Sequence, residues 1–160
     1  MENSMENSIG TNAPRLWCLH SWEPWHFLFT YEARVCGLWD IITTPGLDFL
    51  ERPTRPDQPV EVHTLSTGNP DEDRLSRDIQ TFRNKQHWYI TRRAHYKAQG
   101  EEHALLKLFV QRTVSSAIFA SCCPAEADIR HWYNNIVAHV GDWKKESGIS
   151  PSSIAQTCHR

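Results

Sequence analysis

The sequence predicts a mainly α-helical protein, and three observations carry that prediction. Apolar residues recur at three- and four-residue steps in several separate stretches. Strand-like alternation is confined to the short run Val60-Glu61-Val62-His63, and one isolated strand makes no sheet. Chain breakers concentrate in one connection, residues 43–73, where Pro45, Pro53, Pro56, Pro59 and Pro70 supply five of nine prolines. A length of 160 residues suits one domain. The expectation is a bundle of about four major helices over residues 15–143, a long Pro-rich insertion after the first helix, and disordered termini.

Residues 1–14 open with a tandem Met-Glu-Asn-Ser repeat and hold almost no large apolar group, so they read as a disordered tail. The first helix is predicted from Trp22 to about Cys36, with Ser21 as its N-cap and Glu23 and Pro24 in its first turn. Trp25, Leu28, Phe29, Ala33 and Cys36 form its inward face, and Gly37 stands where a left-handed C-cap is wanted. Leu38, Trp39, Ile41 and Ile42 then make an apolar knot expected to fold back on that helix. A long helix is predicted over 71–98, led by Asp71, Glu72 and Asp73 at its positive end, with Leu75, Ile79, Phe82, Gln86, Tyr89 and Ile90 on the helical period. Gly100 is expected to interrupt it.

A third helix follows over 101–116, with Ala104, Leu105, Leu108, Phe109 and Val114 inward, so that Trp25, Leu28 and Phe29 should meet Leu105, Leu108 and Phe109. The fourth is predicted to start with Cys123 before Pro124 and to stop at Gly141. Ile129, Trp132, Tyr133, Ile136 and Val140 share one of its faces. Residues 144–160 are polar and read as a flexible tail.

Composition narrows the function classes. A hydrophobic fraction of 39%, a mean hydropathy of −0.57 and apolar runs of only a few residues exclude a membrane-spanning helix, which needs about 20 apolar residues. The start has neither the basic nor the apolar segment of a secretory signal, so a cytoplasmic location is expected. Cys18, Cys36, Cys122, Cys123 and Cys158, odd in number and without framework spacing, read as free thiols. Seven tryptophans are the most unusual feature. Such rings fill helical cores, stack on bases or line ligand slots. Six of them fall at helix starts, in the turn after the first helix or on apolar faces, which leaves Trp88 as a candidate contact ring.

The net charge of −2 is unevenly spread. Residues 1–73 carry 12 acids against 4 Lys/Arg, a net −8, and residues 74–160 carry 13 Lys/Arg against 7 acids, a net +6. That split suits intramolecular complementarity, head-to-tail association or a solvated imbalance without a role.

No spacing supports chemistry. Cys18-x-His20 and the adjacent Cys122 and Cys123 match no zinc half-site, so no metal is assigned. No strained turn or glycine pair sets a nucleophile beside a base, and His131 and His139, eight apart, stand about 80° off a common helix face. No Gly-rich loop precedes a helix. Accordingly no catalytic residue, cofactor or small-molecule substrate is expected. The basic stretch says more. Arg74, Arg77, Arg83, Lys85, Arg92, Arg93 and Lys97 face only Asp78 in opposition and interleave with Phe82, Trp88, Tyr89 and Tyr96. These seven cations with Trp88 are candidate nucleic-acid contacts, and a charged solvent face gives the same string.

The order of these segments resembles the N-terminal Gag, or capsid-like, region of copia-type LTR retrotransposons, fungal ones especially. The residues that carry the resemblance are Trp22-x-x-Trp25 opening a helix, the Gly37-Leu38-Trp39-Asp40-Ile41-Ile42 turn, the run 105–115 ending Thr113-Val114-Ser115, and Trp132-Tyr133 before Ile136. Over residues 15–143 it implies an all-α structural protein that self-associates around RNA and has no catalytic role, with Trp22, Trp25, Gly37, Trp39, Thr113, Val114 and Trp132 as packing and capping residues. The family's basic tail and Cys-x2-Cys-x4-His-x4-Cys knuckle do not occur before Arg160, so a fragment or relic of a longer Gag is expected. The alternative is a helical nucleic-acid-binding module that uses helix 74–97 without assembling.

Overall fold

A computed structural model of the chain describes residues 13–57 and 71–148. The tail readings for residues 1–12 and 149–160, and the extended run Val60–His63, lie outside the described residues. The fold is mainly α. A 3₁₀ turn, Leu19–Ser21, leads into α1 (Trp22–Val35), and α2 (Trp39–Thr43), α3 (Asp71–Thr113), α4 (Ser116–Cys122) and α5 (Ile129–Glu146) follow. Among the described residues no strand forms, and the only extended pairing is an isolated parallel bridge between Leu16 and Val114. The chain divides into two compact units, one of residues up to Leu47 and from Glu102 onward, the other Asp48–Glu101.

In the first unit α1 buries Trp25, Phe29 and Ala33, four residues apart, as its periodicity predicts. Its N-terminus differs from expectation. Ser21 makes no side-chain cap to α1, because Oγ turns back to accept from the Trp17 and Cys18 amides and to donate to the Cys18 carbonyl. The 3₁₀ turn therefore uses the hydroxyl that the helix was expected to use. Gly37, at φ +66°, ends the helix as predicted: its amide reaches the Arg34 carbonyl at 2.9 Å and the Leu38 amide reaches Ala33 at 2.8 Å, the Schellman pattern. The apolar knot after it is the short helix α2, which buries Leu38 and Ile42 on either side of its first turn.

Gly100 does not interrupt α3. A glycine in a helix interior costs only about 1 kcal/mol, and strong helix formers flank it while Lys97 and Glu101 pair across it at 3.7 Å. The buried face of this part of α3 is the one that Phe29 and Trp25 meet at Phe109 and Thr113. Leu106, Phe109, Val110 and Thr113 are buried, whereas Ala104, Leu105 and Leu108 are exposed, so of the predicted inward set only Phe109 and Val114 face the core.

The break after Thr113 comes from residues far away in sequence. The Leu16 amide donates to the Thr113 carbonyl at 2.7 Å and the Ser115 amide to the Leu16 carbonyl at 2.8 Å, which ends α3 at Thr113, leaves residues 114–115 outside any helix and starts α4 separately.

α5 begins at Ile129, not at Pro124. Asp128 caps it through Oδ1, which accepts from the His131 amide at 2.8 Å. The loop before it is held as a turn, with the Pro124 carbonyl accepting from Trp132 Nε1 at 2.7 Å and the Ala127 carbonyl from Lys107 Nζ at 2.6 Å. Gly141 does not stop the helix, which continues to Glu146 and ends on Gly148 at φ +62°. Arg130 ties the N-terminal end of α5 to α2, donating to the Ile41 carbonyl at 2.9 and 2.6 Å and to the Leu47 carbonyl.

His103 supplies a further N-terminal partner to α5. Its Nε2 accepts from the Ile129 amide at 3.0 Å, which requires a neutral ring at that nitrogen. Burial and then nearby Lys107 lower the His103 pKa below 6.5, against a smaller opposing effect of Asp128. Burial lowers His26 likewise. Both rings bind fewer protons folded than unfolded, so the stability they contribute is complete above about pH 6.5 and is lost as pH falls below it. Thermal melting should therefore occur at lower temperature at pH 5.5 than at pH 7.5, and His103→Gln, which keeps an acceptor that does not titrate, should reduce the difference. Equal melting temperatures at the two pH values would contradict the assignment.

In the second unit residues 48–57 form no regular element, in keeping with their prolines, and the Leu50 amide donates to Gln99 Oε1 of α3 at 2.6 Å.

Candidate functional site

All eight residues proposed for nucleic-acid contact, Arg74, Arg77, Arg83, Lys85, Trp88, Arg92, Arg93 and Lys97, lie on α3 within the second unit and are exposed. They do not form one face. At about 100° per residue, Arg74, Arg77, Lys85, Trp88 and Arg92 fall within about 80° of one another, and Arg83, Arg93 and Lys97 fall roughly on the other side. Half-buried Phe82 and Tyr89 run between the two stripes. The first stripe extends over 18 residues, about 27 Å along the axis. On it the Arg92 guanidinium sits 4.9 Å from the centroid of the Trp88 ring, which is 55% exposed, so one cation and one ring are already held together. On the second stripe Lys97 pairs with Glu101 across exposed side chains, a contact that contributes little.

The other aromatic residues mostly build the first unit's interior. Phe29 is the centre, with ring centroids 5.2 Å from Trp25, 5.2 Å from Tyr133 in nearly parallel stacking, 6.5 Å from Trp39 and 6.4 Å from Phe109. Trp25 is fully buried, and its Nε1 donates to Thr113 Oγ1 at 2.9 Å, while that hydroxyl donates to the Phe109 carbonyl at 2.8 Å. His26 Nε2 and the Tyr133 hydroxyl are 2.9 Å apart at the cluster's edge. Trp132 is buried beneath Lys107, whose Nζ is 4.6 Å from its ring centroid. Trp17 departs from expectation: it lies on no apolar face and is 68% exposed, because the neighbouring Leu16 takes the buried position.

Two thiols, Cys36 and Cys123, are held in the neutral form. Burial, with the Glu102 and Glu32 carboxylates nearby, pushes Cys36 up to about 12, and burial beside Cys122 pushes Cys123 to about 12, so both are protonated at neutral pH. Among the described residues no three His, Cys, Asp or Glu side chains converge as a metal site. No helix among them is long and apolar enough to cross a membrane.

Two surface features were passed over in the sequence. On α1, Phe27, Tyr31 and Val35 form an exposed apolar ridge opposite the buried face, legible as a second four-residue series offset from the first. A hollow of about 520 Å³ opens between α3, α4 and α5, lined mainly by apolar side chains that include Leu108, Phe119 and Trp132. Compared with protein-family models, curated proteins and solved structures, the chain matches none.

Proposed function

We propose that the chain is a structural, capsid-type Gag-like protein of a copia-type retroelement, acting in the cytoplasm by self-association and RNA packaging, with no catalytic step. One observation supports this reading above the others. Residues that carry the resemblance and lie far apart in sequence meet one another: Trp25 Nε1 donates to Thr113 Oγ1, and Trp39, which follows the Gly37 turn, packs edge-on against Tyr133 with ring centroids 5.8 Å apart. The pattern then specifies a core, which is what an assembly protein requires of its motif residues. Sedimentation velocity of the full chain from about 1 to 200 µM tests it. Concentration-dependent assembly without RNA is expected, and a monomer at every concentration, with or without RNA, overturns it.

The exposed first stripe of α3 favours a second reading, a module that binds RNA without assembling. Four cations on that stripe predict log K falling against log salt with a slope of about −3 for single-stranded RNA. Lys85→Glu with Arg92→Glu should weaken binding at least tenfold, and Arg83→Glu with Lys97→Glu much less. Anisotropy titrations at several salt concentrations measure both, and a flat salt dependence removes RNA from either reading.

A further inference from the structure

Helix α1 is apolar on two opposite sides. One side carries the buried Trp25, Phe29 and Ala33, and the other presents Phe27 at 76%, Tyr31 at 57% and Val35 at 66% exposure. A contiguous apolar ridge on an exposed helix face marks an interaction surface. The hollow on α3 is the matching shape. Its α3 wall, Ala104, Lys107, Leu108 and Gln111, stands roughly half a turn round the helix from Phe109 and Thr113, which receive α1. Ridge and hollow therefore face away from each other on the first unit and cannot meet within one copy. The charges also agree: exposed Glu23 lies one turn before Phe27, and Lys107, its Nζ held by the Ala127 carbonyl and the Trp132 ring, keeps a positive charge in the hollow's lining.

We propose that the ridge of one copy seats in the hollow of a second copy, with Phe27 and Tyr31 entering against Leu108, Phe119 and Trp132. This rests on the self-association reading and specifies its contact. Because the two surfaces differ, the contact is heterologous, so each added copy presents a fresh ridge and a fresh hollow and assembly continues into a ring or an open array. The ridge exposes on the order of 400 Å², about half of what one partner brings to a stable interface, so each contact is weak and is read at the upper end of the concentration range.

A mixing experiment on the full chain tests this. Phe27→Ser with Tyr31→Ser removes the ridge, and Ala104→Glu with Leu108→Glu blocks the hollow. All four sites are exposed, and unchanged thermal melting checks that the variants fold. If either pair shifts melting, Tyr31→Ser and Ala104→Gln alone serve the same purpose. Each variant alone should sediment as a monomer where the unaltered chain assembles, and a one-to-one mixture should give a dimer and nothing larger, since only one ridge and one hollow survive. Assembly of the hollow variant as the unaltered chain shows a ridge-to-ridge contact and overturns the proposal while self-association stands. An unaltered chain that remains monomeric overturns both.

Discussion

Trp25→Ala should lower stability by about 3–5 kcal/mol, the range for removing a large buried ring, which for a chain of this length lowers the melting temperature by roughly 10 °C. The ring is fully buried and stacks on Phe29 at 5.2 Å, so truncation opens a void at the centre of the aromatic cluster. It also withdraws the Nε1–H that Thr113 Oγ1 accepts, although that hydroxyl still donates to the Phe109 carbonyl. Trp25→Phe separates the two contributions. It keeps most of the ring and loses the hydrogen bond, and should cost a further fraction of the total, about 1 kcal/mol for the bond. A double-mutant cycle with Thr113→Val should show coupling between the two sites, and additive effects would mean that the bond contributes nothing. Near-unaltered melting of Trp25→Ala would contradict the core described for the first unit.

The legible part of this fold was local. The buried face of α1, the Gly37 cap and the inward side of α5 each follow from residues within one or two turns of one another. What escaped the sequence was settled by distant partners. Thr113 and Val114 read as the end of a helix, and nothing near them says that Leu16 will take the Thr113 carbonyl and force an extended residue there. Pro124 and Asp128 are both acceptable helix starts by local rules; Trp132, Lys107 and His103 decide between them by engaging the Pro124 and Ala127 carbonyls and the Ile129 amide. Gly100 stays helical because its cost is smaller than what continuous helix formers on both sides supply. Leu105 and Leu108 face outward because Phe29 and Trp25 select the face of Phe109 and Thr113.

The candidate surfaces show the same division. The cations of α3 were visible as composition, and their separation into two stripes needs only the helical repeat. The ridge at Phe27, Tyr31 and Val35 is equally present in the sequence, but its four-residue spacing is the same as that of Trp25, Phe29 and Ala33, so periodicity alone does not say which series is buried. Exposure distinguishes the two series, and exposure depends on which one meets Phe109 and Tyr133.

Leu16 and Trp17 invert the usual expectation that the larger side chain matters more. Leu16 is fully buried and brackets Thr113 and Ser115 with two backbone hydrogen bonds, so Leu16→Ala should cost about 2–5 kcal/mol. Leu16→Pro should be at least as severe, because it removes both the side chain and the amide that reaches the Thr113 carbonyl at 2.7 Å. Trp17→Ala, by contrast, removes a ring that is 68% exposed and leaves in place the backbone amide that donates to Ser21 Oγ, so it should stay within about 0.5 kcal/mol of the unaltered chain. Chemical denaturation of the three variants measures all of this. A large loss at Trp17 with none at Leu16 would mean that the chain before α1 is anchored by its ring and not by its pairing with residues 113–115, and the break between α3 and α4 would then need another cause.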